Sequence, residues 1–437
     1  MVFEPMFTGL NDTQSKEKWE DYQTRVARIF DHTRPAEKEM FIPRNDISDK
    51  TSKKPIDERL YETLKLTRSQ ILLYGDSGVG KTNLILNQCK KLGLKSKLIN
   101  VSGKQTFSEL MSDLLIDLSD GEFSQDSSVT KSTGASHDQT MSASVSGYFS
   151  GAQSKQDRQD VSVTKRTEVR SLNRQLYKLL AENGYYVLII DNVHNLATLE
   201  DRSAMGGLME FFYDAVNENP DLPIVPRITA AGIATSGADL IGNDSSRERR
   251  IEQIFVPHMT SDQTKQIAST GFDKLGLSYD EAKLGPLDRI AFYSDGYPFF
   301  AQQICRNTAM QEQVFDAKKV FAKDVETAIS QISVEDSDSI DRLLEKAQPK
   351  QTKVRLRTLV LRVIAQQEWP SWTSRNVVDV LEEDPSSVAT RQSNVTAELN
   401  KLYKEFRILS RTGDHVFNYK FRNPHFRPYI RMRIVDL

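Results

Sequence analysis

Gly75-Asp76-Ser77-Gly78-Val79-Gly80-Lys81-Thr82 fits G-x-x-x-x-G-K-[ST] at every fixed position. The apolar run Gln70–Tyr74 (QILLY) precedes it and a helical pattern from Lys81 to about Leu92 follows. Strand, glycine-rich turn and helix, in that order, is the context a phosphate-cradling loop requires. Gly75, Gly78 and Gly80 let the backbone bend so that its N–H groups surround a phosphate. The helix start adds partial positive charge. Lys81 reaches the β- and γ-phosphates, and Thr82 offers a hydroxyl to Mg²⁺. Residues 75–82 are therefore the expected nucleotide-binding set.

Outward from the loop, strand and helix patterns alternate. Lys95–Val101 and Tyr185–Ile190 (YYVLII) read as strands, Pro226–Ala234 as a further one, and Thr106–Leu118, Arg170–Asn183 and Ser203–Val216 as helices. This predicts an α/β domain, a parallel sheet with crossover helices. The apolar run Val187–Ile190 ends in Asp191, the expected second magnesium ligand. The next residue is Asn192, where many ATPases of this plan carry a Glu that activates water. An amide orients water but accepts no proton, so a general-base contribution of roughly 10²–10⁴-fold is expected to be missing. Slow hydrolysis is the favoured consequence, with substitution by another carboxylate such as Glu200 the alternative. His194 either points at the same site or is a satisfied polar residue beside the strand end.

From Ser119 to about Val169 the texture changes: twelve of these 51 residues are serine and large aliphatic residues nearly vanish. Such a segment cannot bury enough apolar area to fold alone. It reads either as a linker or as an inserted β-hairpin.

The whole chain has 437 residues, 38% hydrophobic and 27% charged, a balance that excludes a membrane or wholly disordered protein. Two cysteines exclude a disulfide scaffold and a four-thiolate zinc site. Neither a signal peptide nor a membrane span is visible, so a cytoplasmic location is expected.

These residues together resemble the AAA+ and STAND branches of the P-loop ATPases, above all the initiator ATPases of the origin recognition complex and the transposition regulators TniB and TnsC. Ile189-Ile190-Asp191-Asn192-Val193-His194-Asn195-Leu196 is similar to the I-I-D-E-x-H-N-L segment, with Asn192 in place of Glu. Ala231–Ser236 resembles the sensor-1 strand, which would make Thr235 or Ser236 the residue watching the γ-phosphate. Ser246–Arg250 resembles the place of an arginine finger, with Arg247, Arg249 and Arg250 as candidates; a solvated basic helix end is the alternative. Gly296-Tyr297-Pro298 resembles the G-x-P turn of the lid, and no clear sensor-2 arginine stands there, Arg306 being the candidate. The resemblance implies ATP and Mg²⁺ as cofactors, ATP between core and lid, and a homo-oligomer or partner protein completing the site.

The net charge of −2 divides unevenly. Residues 350–437 hold 16 basic and nine acidic side chains (+7), and residues 1–349 carry −9. The C-terminal pattern reads helix (Thr352–Gln367), helix (Thr373–Leu381), helix (Asn394–Phe406), then a hairpin turning at Thr412-Gly413-Asp414. That order resembles a winged helix, whose third helix enters the DNA major groove. Arg391, Asn394, Asn400, Lys401 and Lys404 on that helix, and Arg411, Lys420 and Arg422 on and after the hairpin, are the candidate DNA contacts. Pro424–Arg433 reads either as nucleic-acid surface or as a tail turning Phe426, Tyr429 and Ile430 inward.

The expected organisation is an N-terminal helical extension (1–34), a P-loop ATPase core (35–260) with the insert at 119–169, a helical lid (261–346) and a winged helix (350–437). The first functional reading is an ATP-gated DNA-binding ATPase, compatible with replication initiation, transposition or defence against mobile elements. The second is a STAND-type signalling switch, in which the winged helix braces the protein and a separate protein is the effector.

Overall fold

The computed structural model describes residues 12–31, 38–45, 54–66, 68–119, 172–218, 224–335, 356–367, 371–383, 391–413, 416–423 and 425–433, with the single residues 222 and 369. Apart from Ser119 the serine-rich segment lies outside them. The chain forms two compact units, residues 43–257 and residues 1–42 with 258–437.

The first unit is built on a five-stranded parallel sheet: β1 (Gln70–Gly75), β2 (Ser96–Asn100), β3 (Val187–Asp191), β4 (Arg227–Ile233) and β5 (Ile251–Phe255), in the order β2-β3-β4-β1-β5. A second helix of the chain, α2 (Ile56–Leu66), precedes β1; α3 (Lys81–Leu92) and α4 (Phe107–Leu118) follow β1 and β2; a helix at 172–182 (α5) leads into β3; α6 (Leu199–Glu218) and the short α7 (Ala238–Ile241) come later. Leu72, Leu188, Ile190, Ile228 and Ala230 are buried in one cluster with side chains of α4, α5 and α6. The alternate residues Ile71, Leu73 and Ile189 are equally buried. The period of two sends them to the opposite face, where α3 packs on β1 and β3. Burial on both faces is why the strands read as continuous apolar runs. This is the predicted α/β P-loop core.

Local signals place the helices. A Thr106–Glu109 capping box starts α4, and Gly93 ends α3 in the left-handed region with its N–H on the Cys89 and Lys90 carbonyls. Two elements escaped the sequence reading. Helix α2 sits in a polar stretch, and β5 is half-polar, with Glu252 and Gln253 between its apolar ends.

In the second unit α1 (Asp12–Ile29) lies on α8 (Ser261–Leu275) and α10 (Pro298–Ala309). Tyr22 donates to the Ala309 carbonyl at 3.0 Å. Phe30 packs edge-on to Phe272 and fills the space a side chain at Gly271 would need. Helices α9 (Pro286–Ser294), α11 (Glu312–Ala317) and α12 (Ala322–Glu335) complete the helical region. The expectation of a purely helical segment at 261–346 is corrected: β6 (Ser278–Tyr279) and β7 (Lys319–Val320) pair in parallel. They are two residues each, too short to leave a periodic pattern.

Beyond it come α13 (Leu356–Gln366), α14 (Ser374–Glu383), α15 (Gln392–Lys404), an antiparallel hairpin of β8 (Leu409–Thr412) and β9 (Asn418–Phe421), and α16 (Phe426–Arg433). Trp372 exchanges both backbone hydrogen bonds with Tyr419 and adds a third position to the hairpin sheet. The three helices and the hairpin share one apolar core, with Val360, Ile364, Val377, Leu399 and Tyr419 among its residues. The tail is a helix with Phe426, Tyr429 and Ile430 inward. Of its two sequence readings, the packed one holds.

Candidate functional site

The loop after β1 has the backbone its glycines predict. Gly75, Gly78 and Gly80 all have positive φ (147°, 74° and 89°). At Gly75 a Cβ would also collide with the Val256 carbonyl, so only glycine fits. Val79 is fully buried. Lys81 is 7% exposed, and its Nζ donates to the carbonyls of Asp76 (2.7 Å) and Gly75 (3.1 Å). Burial pushes the Lys81 ammonium down to about 8, against the pull of Asp191 and Asp76.

Thr82 lies in the first turn of α3 and Asp191 at the end of β3, with β4 between β1 and β3 in the sheet. The Thr82 hydroxyl nevertheless donates to the Asp191 carboxylate. The other carboxylate oxygen accepts the Asn192 N–H at 2.8 Å. The two groups expected to hold a magnesium ion thus meet as hard oxygen donors, the type that ion takes.

Asn192 has φ 61° and ψ 34°, in the left-handed region. Asn is several-fold enriched there and longer side chains are disfavoured. The backbone therefore supplies a reason for Asn at this position that the sequence did not show. Glu200 is exposed in the first turn of α6. His194 Nδ1 accepts the Ile233 N–H at 3.2 Å, which joins the turn after β3 to the end of β4. Burial, then the Lys81 charge, holds this imidazole below its ordinary pKa, and the accepting Nδ1 belongs to the neutral form.

Thr235 and Ser236 lie just past β4, exposed, with the Thr235 hydroxyl (3.2 Å) and the Ser236 N–H (3.1 Å) on the Asp239 carboxylate. These bonds tie the segment after β4 to the first turn of α7. Of the three arginine-finger candidates, Arg247 must be withdrawn. It is 7% exposed, and its guanidinium is held by Glu210, the Ile241 carbonyl and Ser203. Arg250 is half-buried on Asp214 (3.2 Å). Arg249 is exposed, with no side-chain hydrogen bond or ion pair among the described residues. In the other unit Arg306 is half-buried in the last turn of α10.

The C-terminal candidates divide in the same way. Asn400 accepts from Arg411 (3.0 Å) and from the Tyr419 hydroxyl (3.2 Å), tying α15 to the hairpin. Arg411 also lies over the Phe417 and Tyr403 rings, 3.9 and 4.9 Å from their centroids. Lys401 and Arg357 both bind Glu398, at 2.8 and 2.7 Å. Burial raises the Glu398 pKa, but these hydrogen bonds outweigh it and hold the carboxyl below its ordinary value. The expectation of free DNA-contacting side chains is corrected for Asn400 and Arg411, whose polar ends are held between α15 and the hairpin; Lys401, paired with Glu398 one turn earlier on its own helix, keeps its side chain 42% exposed. Arg391, Asn394, Lys404, Lys420 and Arg422 remain exposed.

Sequence reasoning missed Arg44. It is 2% exposed and touches the phosphate-loop backbone at Val79. A lone arginine after Pro43 carries no motif, so no sequence signal could have found it.

Residues 64–225 match the family model described as an AAA domain, and this segment holds the glycine-rich loop and the strands β1, β2 and β3 of the parallel sheet. No curated protein matches the chain. Among solved structures, the chain is similar to Cdc6p from Pyrobaculum aerophilum (15% identity, 94% of this chain and 98% of that one, TM-score 0.44). It is also similar to a Walker-type ATPase of Pyrococcus abyssi (17% identity, 92% and 99%, TM-score 0.46). A third is the Aeropyrum pernix ORC1 protein in complex with DNA (16% identity, 89% and 93%, TM-score 0.37). No helix among the described residues is long and apolar enough to cross a membrane.

Proposed function

We propose that the AAA domain binds ATP, hydrolyses it slowly, and uses its nucleotide state to control DNA binding by a C-terminal winged helix. The observation that carries the reading is the junction of Lys81, Thr82 and Asp191 at the carboxyl end of the sheet, next to an Asn192 that cannot act as a base. Lys81 would exchange two loop carbonyls for phosphate oxygens. Thr82 and Asp191 would hold Mg²⁺, which neutralises triphosphate charge when bound. Asn192 can orient a water but takes no proton from it. Thr235 would report on the γ-phosphate. Arg249, with Arg250 behind it, would serve the site of a second copy or of a partner protein.

DNA contact rests on the +7 charge of residues 350–437 and on the exposed Arg391, Lys404, Lys420 and Arg422. Cationic side chains near phosphates release counterions, so binding should fall with salt. The test is DNA binding by the wild type and by Lys404→Glu/Arg422→Glu, with and without ATP, across a salt series. Weaker binding and a shallower salt slope in the variant are expected. No wild-type binding, or binding indifferent to salt, would sink the reading. Replication initiation, transposition and mobile-element defence are contexts it fits.

The STAND-type switch stays as a second reading because one observation favours it. Arg431 (2.9 Å) and Arg427 (3.5 Å) of α16 both reach Asp295, beside the Gly296 turn. Such a network would let the C-terminal elements brace the helical region. Under this reading the wild type oligomerises with ATP and ignores DNA.

A further inference from the structure

Arg44 is one of the largest fully buried side chains among the described residues, yet it is a charge. Its guanidinium donates to the Val79 carbonyl with one nitrogen and to the Pro257 carbonyl with another. Its backbone N–H donates to Asp57, whose second oxygen accepts from Gln88 of α3 at 2.8 Å. Asp57 and Gln88 are themselves buried. The arginine is thus fixed from behind by α2 and α3, and faces the loop and the segment leaving β5.

A buried charge costs free energy unless its partners compensate, and a well-packed apolar residue often does as well for stability. Here the partners are two main-chain carbonyls that a planar fork reaches together. One belongs to the phosphate loop. A loop that points its N–H groups inward turns carbonyls outward, and a buried carbonyl needs a donor. Val79 is buried, and Arg44 is that donor.

We propose that Arg44 is a positioning residue for the phosphate loop: by holding the Val79 carbonyl it keeps the loop N–H groups aimed at the phosphates, and so sets nucleotide affinity through the backbone. This rests on the reading of residues 75–82 as the nucleotide site.

The test is a titration with a fluorescent ATP analogue and Mg²⁺ on the full chain, for wild type, Arg44→Lys and Arg44→Met. Circular dichroism melts fix a temperature at which each protein is folded. Lysine keeps the charge but lacks the fork, so affinity should fall by about tenfold, and by about a hundredfold for methionine. In steady-state hydrolysis KM should rise in Arg44→Lys with kcat little changed, since the chemical groups stay in place. If Arg44→Met does not fold, Arg44→Lys carries the test together with amide exchange of residues 76–80, which should speed up while β1 stays protected. Wild-type affinity in a folded Arg44→Lys protein, with unchanged exchange in the loop, would overturn the proposal and leave the nucleotide site standing. A wild type that binds no nucleotide would remove both.

Discussion

The Thr82 hydroxyl donates to the Asp191 carboxylate across 109 residues of chain. One residue opens the helix after β1 and the other closes β3, so the bond spans β4, which lies between them. Lys81→Ala should therefore abolish nucleotide binding, and Asp191→Asn should weaken the Mg²⁺-dependent part only. Titration of a fluorescent ATP analogue with and without Mg²⁺ separates the two. Unchanged binding in Lys81→Ala refutes the site.

Asn192 occupies the left-handed region, which costs an ordinary side chain roughly 1–2 kcal/mol. Asn192→Glu should lose stability by about 1 kcal/mol while Asn192→Gly stays near wild type. If the missing base limits turnover, Asn192→Glu should hydrolyse ATP faster despite that loss. Urea melts and phosphate release check both halves. A stable Asn192→Glu protein with unchanged turnover would show that neither backbone nor base is the constraint.

Asn400 accepts from both Arg411 and Tyr419, so Asn400→Ala leaves two donors short of a partner. Stability should fall by about 1–3 kcal/mol. DNA affinity, measured well below the melting temperature, should hardly change, whereas Lys404→Glu/Arg422→Glu should do the reverse. A DNA defect in Asn400→Ala with normal stability would return this residue to the contact surface.

Cys89 and Cys305 are 1% and 0% exposed. Burial pushes the Cys89 thiol up to about 11 and raises that of Cys305 as well. The folded state thus favours the protonated thiol. Stability should fall as pH rises above the ordinary thiol value of 9.0, the Cys89 contribution levelling off beyond about 11. At pH 8 iodoacetamide should label neither cysteine until the protein unfolds. Rapid native labelling would contradict the burial.

The glycine-rich loop, its flanking strand and helix, and the acid that ends β3 are legible in the sequence alone. Each is a local pattern: glycines where φ must be positive, an apolar run, a capping residue. The parallel sheet followed from alternation, because a strand buried on both faces must read as a continuous apolar run. Helix α2 and strand β5 were not legible, since each mixes polar and apolar residues in a polar surrounding. The two-residue β6 and β7 are too short for any period.

What tertiary structure alone decided is which charged side chains remain available. Sequence determined that Arg247, Lys401, Arg411 and Lys404 are cationic, and that the C-terminal part is basic. Packing drew Arg247 onto Glu210 and Ser203, and Arg411 onto Asn400 and two rings, while Lys404 stayed in solvent. It also brought Arg44 beneath a loop 35 residues away. The physical reason is range. Backbone conformation answers to the residue and its near neighbours, but the partner of a long charged side chain is chosen by whatever the fold sets beside it.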